Sequence, residues 1–353
     1  MEKMRLLSKD FCLLFVANFV CIAVYYLLMT TMAVYSLNEF KVSNSLAGLS
    51  AAIFMVGGVS GRIICSKYYR RLGLKRTALV SLGLMLASCL LYLLSGVGIW
   101  YLFIIRILHG ISFGVANTVV PAIAVESIPK PRMGEGTGYF MLSMTLGTAI
   151  GPLVALFVIS GLEYSFLFWI CSALVLLALF STFFVDSGKE VLETKETASK
   201  FTIGNVFEKK TWRISLFILI MAISYTSINA FVNNYAASLD LSAYAPFIFV
   251  VNSIVLLITR PLAGRLIDRY GDNVVLYPSF FFMAFGYIFC SFVQNGPMLI
   301  CVGAFMALGF GTALTTGQAV ITRRVEREET TQAISTYFLF CDAGGALGPY
   351  FLG

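Results

Sequence analysis

Eleven apolar runs follow one another along this chain, each close to the roughly 20-residue helix needed to cross ~30 Å of hydrocarbon. They lie near residues 11–36, 45–65, 77–95, 99–125, 136–160, 164–185, 213–239, 243–263, 274–293, 298–320 and 333–353. Of the 353 residues 59% are hydrophobic and 12% charged, more apolar surface than a water-soluble fold can hide, so the bilayer is the solvent and an all-α membrane protein is expected. Lys3, Arg5 and Lys9 precede the first run as they would in a cleavable signal peptide. That run is longer than such an apolar core and no small-x-small site ends it, so it reads as a span.

Basic residues set the expected orientation. With the N-terminus in the cytoplasm, 23 of the 25 lysines and arginines fall in the terminus, in inner loops or at inner helix ends, the exceptions being Lys41 and Arg106. The other connections are short and carry Glu39, Glu163 and Asp240. The net charge of +7 is therefore a matter of topology and anionic lipid, and no nucleic-acid partner is expected. All eight cysteines fall within or at the ends of runs and none forms a C-x-x-C pair, so they read as small apolar fillers. With one histidine in the chain, no metal site and no cofactor is expected. The one long polar stretch, 186–212, mixes lysines and glutamates between runs six and seven. It reads as a cytoplasmic tether, with a short amphipathic piece around 201–207, joining an N-terminal bundle of six helices (1–185) to a C-terminal bundle of five (213–353).

Two phrases occur twice. R-I-I-C-S-K-Y-Y-R-R-L-G at Arg62–Gly73 returns as R-P-L-A-G-R-L-I-D-R-Y-G at Arg260–Gly271, 198 positions on, and G-T-A-I-G-P at Gly147–Pro152 returns as G-G-A-L-G-P at Gly344–Pro349, 197 positions on. Unrelated phrases repeating at one period mean a duplicated unit of about six spans, an architecture many secondary transporters use.

With these features the chain resembles the major facilitator superfamily. The likeness rests on two bundles, an inner linker, G-x-x-x-D-R-x-G at Gly264–Gly271 and R-x-x-x-G at Arg106–Gly110. Gly138, Gly147, Gly151 and Pro152 further resemble the fifth-span motif of its drug–proton antiporter branch. The resemblance implies two six-helix repeats and proton-coupled export. It also implies a twelfth span, which is missing here because the chain stops at Gly353 within the eleventh run. There are two more departures: Arg70 holds the acidic place that Asp268 occupies in the second copy, and the fifth-span phrase ends in Ala155-Leu156 where a glycine pair is usual.

Each motif also has a reading from its own chemistry. Gly73, Gly264 and Gly271 permit tight turns and close helix approach, while Asp268 can accept from helix N-termini or pair with arginines, as a conformational latch or as part of an ordinary charged loop with Arg269. The first copy has no acid, so Arg70 and its neighbours would need a partner such as Glu126 or Glu135. The fifth-span glycines allow close packing and Pro152 bends the span, with or without a gating role.

Intramembrane ionisable groups carry the most functional weight because a charge in hydrocarbon costs from ~3 to more than ~10 kcal/mol. On the fourth run, Arg106, His109, Gly110, Phe113 and Asn117 share a face expected to look into a cavity. Asp342 is the one acid at mid-membrane depth and the proton-coupling candidate. Asn18 and Tyr25 on run one, and Tyr225, Asn229 and Asn233 on run seven, form polar stripes that either line a substrate cavity or glue helices together. Three function classes follow: an exporter of amphipathic organic compounds, a facilitator or symporter for a sugar or small metabolite, and a membrane receptor or enzyme. No nucleophile–base pair or nucleotide loop supports the last. The first is the expected function, in a monomer in the bacterial plasma membrane.

Overall fold

The structure is a computed structural model. It describes residues 7–159, 163–186, 208–326 and 329–352; within these, the side chains of 66–68, 70, 71, 156, 159, 209, 229, 230, 233, 234 and 349–352 lie outside the description. The amphipathic piece expected around 201–207 also lies outside the described residues.

The apolar runs become α1 (Lys9–Phe40), α2 (Asn44–Leu72), α3 (Leu74–Leu91), α4 (Ile99–Glu126), α5 (Met133–Ile159), α6 (Tyr164–Phe183), α7 (Trp212–Ser238), α8 (Ala245–Tyr270) and α9 (Asn273–Cys290). The tenth run is one span in three pieces, α10 (Gly296–Met306), a π-helical turn (Ala307–Gly311) and α11 (Thr312–Arg324), and the eleventh is α12 (Thr330–Leu352). Among the described residues, nine helical segments are long and apolar enough to cross a membrane, with Trp212–Ile228 as a shorter apolar helix.

Polar side chains at the helix ends explain where the elements start. Ser8 accepts from the Phe11 amide at 3.1 Å, and Asn295 from the Met298 amide at 3.1 Å, relieving N–H groups that have no intrahelical partner. Gly73 and Gly271 end α2 and α8 at φ 79° and 87°, where a side chain would be strained, so the two copies of the first phrase share one backbone device. Inside the spans, hydroxyls bond back onto their own helix, as Thr31 does to the Leu27 carbonyl at 3.1 Å, because hydrocarbon offers them no water.

The chain forms two compact units, and the division runs through α5. One unit comprises α1–α4, α6 and α5 from Leu146 onward; the other comprises α5 up to Thr145 and α7–α12. In the first unit, α2 crosses α4 at glycines on both sides: a Cβ on Gly57 would stand 3.0 Å from the Gly110 Cα, and one on Gly114 3.1 Å from the Gly58 Cα. The second phrase has the same duty in each copy. Gly147 and Gly151 seat α5 on α1 at Ile22, Ala23 and Tyr26, and Gly344 and Gly348 seat α12 on α7 at Ala222, Ile223 and Thr226. Gly138 and Gly264 instead seat the first half of α5 on α8: a Cβ on Gly138 would lie 3.0 Å from the Arg260 carbonyl carbon, and one on Gly264 2.8 Å from the Glu135 Cα. The close packing expected of the fifth-span glycines thus serves two partner helices, because the glycines face opposite ways.

Gly110→Leu should therefore destabilise the protein by about 1–3 kcal/mol, the usual range for overpacking. Gly83→Ala, where no atom lies within 4 Å of a built Cβ in mid-α3, should be neutral or stabilising by up to about 1 kcal/mol. Thermal melting of the two purified variants against the parent checks both signs.

Candidate functional site

The fourth span carries a positive charge into the interior of the first unit. Arg106 and His109 are both 0% exposed. The guanidinium donates from Nε to the Ser50 carbonyl and from Nη2 to the Ala51 carbonyl, each at 2.9 Å, with Met29 Sδ 3.6 Å from Nη2 and the Phe54 ring centroid 4.7 Å from Cζ. The Arg106 guanidinium is thus held against α2, where Gly110 draws the two helices together. His109 Nδ1 lies 3.1 Å from the Tyr92 hydroxyl, while His109 Nε2 and Arg106 Nη1 have no hydrogen-bond partner among the described residues.

Aromatic rings and thioethers surround this pair. Half-buried Tyr25 stacks on Phe113 at 5.1 Å and tilts against Phe54 at 5.2 Å, and its hydroxyl donates to Met55 Sδ at 3.5 Å. Phe54 meets His109 edge-on at 5.4 Å. Asn18 is buried on α1 and Asn117 half-buried on α4. Among the described residues no carboxylate ion-pairs with Arg106.

In the second unit, the expected acceptor role of Asp268 has a definite geometry. Its Oδ1 accepts from the Gly134 amide at 2.8 Å and its Oδ2 from the Glu135 amide at 2.7 Å, at the positive N-terminal end of α5, and Arg323 of α11 closes on the same carboxylate. Glu135, offered above as a partner for the first copy, instead binds Arg265 at 2.9 Å and Arg132 at 2.7 Å. Arg323 and Arg324 reach Asp272 at 3.5 and 4.0 Å, and exposed Arg269 lies 5.1 Å over the Tyr270 ring. Where the tether enters α7, Lys210 holds Glu329 at 2.7 Å, which raises the lysine above its ordinary range.

Tyr225 stacks on Phe310 of the π-helical turn at 4.3 Å, and half-buried Asp342 lies on α12. The side chains of Arg70, Asn229 and Asn233 lie outside the described residues. Pro152 is half-buried within α5. Sequence reasoning missed Tyr92, Ser50, the π-helical turn and Arg323. The four-residue spacing of Gly57 with Gly61 and of Gly110 with Gly114 was a legible sign of the α2–α4 crossing.

Removing the partner of a buried polar atom costs about 1–3 kcal/mol. Tyr92→Phe should therefore lower the melting temperature, whereas exposed Tyr277→Phe should leave it unchanged.

The family model of the Major Facilitator Superfamily matches residues 14–349. The multi-drug resistance efflux pump PmrA homolog of Lactococcus lactis is 29% identical over 261 residues, 71% of this chain and 64% of that protein. The multidrug resistance protein MdtG of Klebsiella pneumoniae is 24% identical over 259 residues, 71% of this chain and 63% of that protein. The chain thus spans somewhat less than two thirds of the length of these relatives. Among solved structures, the transporter FucP in its outward conformation superposes with a TM-score of 0.75 at 16% identity, covering 97% of this chain and 91% of that one. The human organic anion transporter MFSD10 does so with 0.75 at 12% identity, covering 99% and 93%, and both likenesses concern the fold. This chain is a multi-pass membrane protein and belongs to the Major Facilitator Superfamily, whose members are transporters rather than enzymes.

Proposed function

We propose that this protein is a secondary active transporter that exports amphipathic organic compounds by alternating access, driven by proton antiport. The observation that carries the reading is the wall of α1, α2 and α4, in which Tyr25, Phe54, Phe113, Met29 and Met55 surround one buried cation. Rings and thioethers accept many apolar shapes, whereas a sugar site needs a crowd of amides and acids. The relatives named as multidrug efflux and multidrug resistance proteins support the export direction.

In this proposal the substrate-binding residues are Asn18, Tyr25, Arg106, His109, Asn117 and Tyr225, with Asn229 and Asn233 as the sequence expects, and Asp342 carries the coupling proton. The distribution of basic residues supports a cytoplasmic N-terminus, bacterial relatives support the plasma membrane, and a monomer suffices because one chain holds every group invoked. Asp268 serves as a latch: its carboxylate ties the end of α8 to the start of α5, and one transport state keeps that tie while another releases it.

Vesicles with and without an imposed proton gradient test the reading, since an exporter of this kind concentrates amphipathic compounds only with the gradient. Failure to move any member of a broad drug panel while moving a sugar would favour the facilitator. Asp268→Asn should lower turnover by about tenfold while leaving substrate affinity within about twofold, because the latch biases states without touching the ligand. Asp342→Asn should abolish gradient-driven accumulation yet allow downhill exchange. Accumulation that survives in that variant would move the coupling site elsewhere.

A further inference from the structure

The charge on Arg106 has been solvated but not neutralised. A guanidinium stays protonated at any pH the protein meets. Among the described residues its partners are two backbone carbonyls, a thioether, a ring face and the neighbouring Tyr92 hydroxyl, all uncharged. Those neutral contacts offset part of the desolvation cost, and the remainder is what an opposite charge removes.

Two buried groups remain unused beside it. Among the described residues Arg106 Nη1 has no hydrogen-bond partner within bonding geometry, nor has Nε2 of His109, three residues along the same helix. If the Tyr92 hydroxyl donates to His109 Nδ1, the ring hydrogen must sit on Nε2, which makes that atom a donor as well. A guanidinium N–H and an imidazole N–H on one helix face match an anion and repel an ammonium group. The layer over them is adaptable: Met29 and Tyr25 are only half-buried, and the thioether has three rotatable bonds.

We infer that the substrates of this transporter are amphipathic organic anions, whose carboxylate or sulfonate seats on Arg106 Nη1 and His109 Nε2 while the apolar body lies against Tyr25, Phe54 and Phe113. The inference rests on the exporter reading and narrows its substrate class. An anionic headgroup supplies the negative charge that no described carboxylate brings to Arg106, and the aromatic wall accounts for the body attached to it.

The test is a matched series on one skeleton, 1-naphthaleneacetate, its primary amide and 1-naphthylethylammonium, with chloride and inorganic phosphate as separate arms. Binding is read by thermal stabilisation of the purified protein in nanodiscs, and transport by counterflow in proteoliposomes. The carboxylate should bind the parent protein about tenfold or more tightly than the amide, and the ammonium compound least. Arg106→Gln should erase the preference for carboxylate over amide, and Arg106→Lys should retain part of it. Because the charge preference is read on the parent protein, a variant that fails to fold does not rescue the inference. Preference for the ammonium compound, equal binding of the three, or full stabilisation by chloride or phosphate alone would overturn it while leaving the exporter reading intact. Transport of no organic compound in this series or in a broad drug panel would overturn the exporter reading and the inference together.

Discussion

Close backbone approach at glycine is the contact on which the rest of each unit depends. Lipid tails are as apolar as leucine, so no hydrophobic drive holds two spans together, and van der Waals contact must do it. That contact is strongest where a missing Cβ lets a carbonyl of the next helix fill its place, as Ile107 and Ile111 do at Gly57 and Gly61. The α2–α4 crossing brings Ser50 and Ala51 against Arg106, so the geometry of the buried cation follows from the glycines at that crossing.

The duplicated phrases show how one device is used twice and then diverges. Gly147 with Gly151, and Gly344 with Gly348, make equivalent seats for α5 on α1 and for α12 on α7. Gly73 and Gly271 make equivalent turns. Charge breaks the equivalence, since Asp268 stands where the first copy has Arg70. A carboxylate at the N-terminal end of a helix finds two amides and a partial positive charge, and an arginine in the corresponding place could accept from neither.

Buried arginines recur as connectors. Arg62 is 3.4 Å from the Thr118 hydroxyl, and Arg260 donates to the Met141 carbonyl of α5. Both are close to fully buried, and both open a copy of the first phrase. A long planar donor set can reach across to a neighbouring helix and bind carbonyl or hydroxyl oxygen there.

Much of this was open to a reader of the sequence alone. The helices follow from run length, nine of those among the described residues being long and apolar enough to cross a membrane, because a helix in hydrocarbon must satisfy its own backbone and therefore leaves an apolar signature some 20 residues long. The duplicated phrases are visible for the same local reason, as is the special status of Arg106, His109 and Asp268. The partners were not visible. That Glu135 serves Arg265 and Arg132, that the glycines of α5 divide between α1 and α8, and that Tyr92 and Ser50 flank the cation are matters of which faces meet and in what register. Hydropathy belongs to one segment at a time and says nothing of rotation about the helix axis; only when the helices pack do residues over a hundred positions apart, such as Glu135 and Arg265, come within 3 Å.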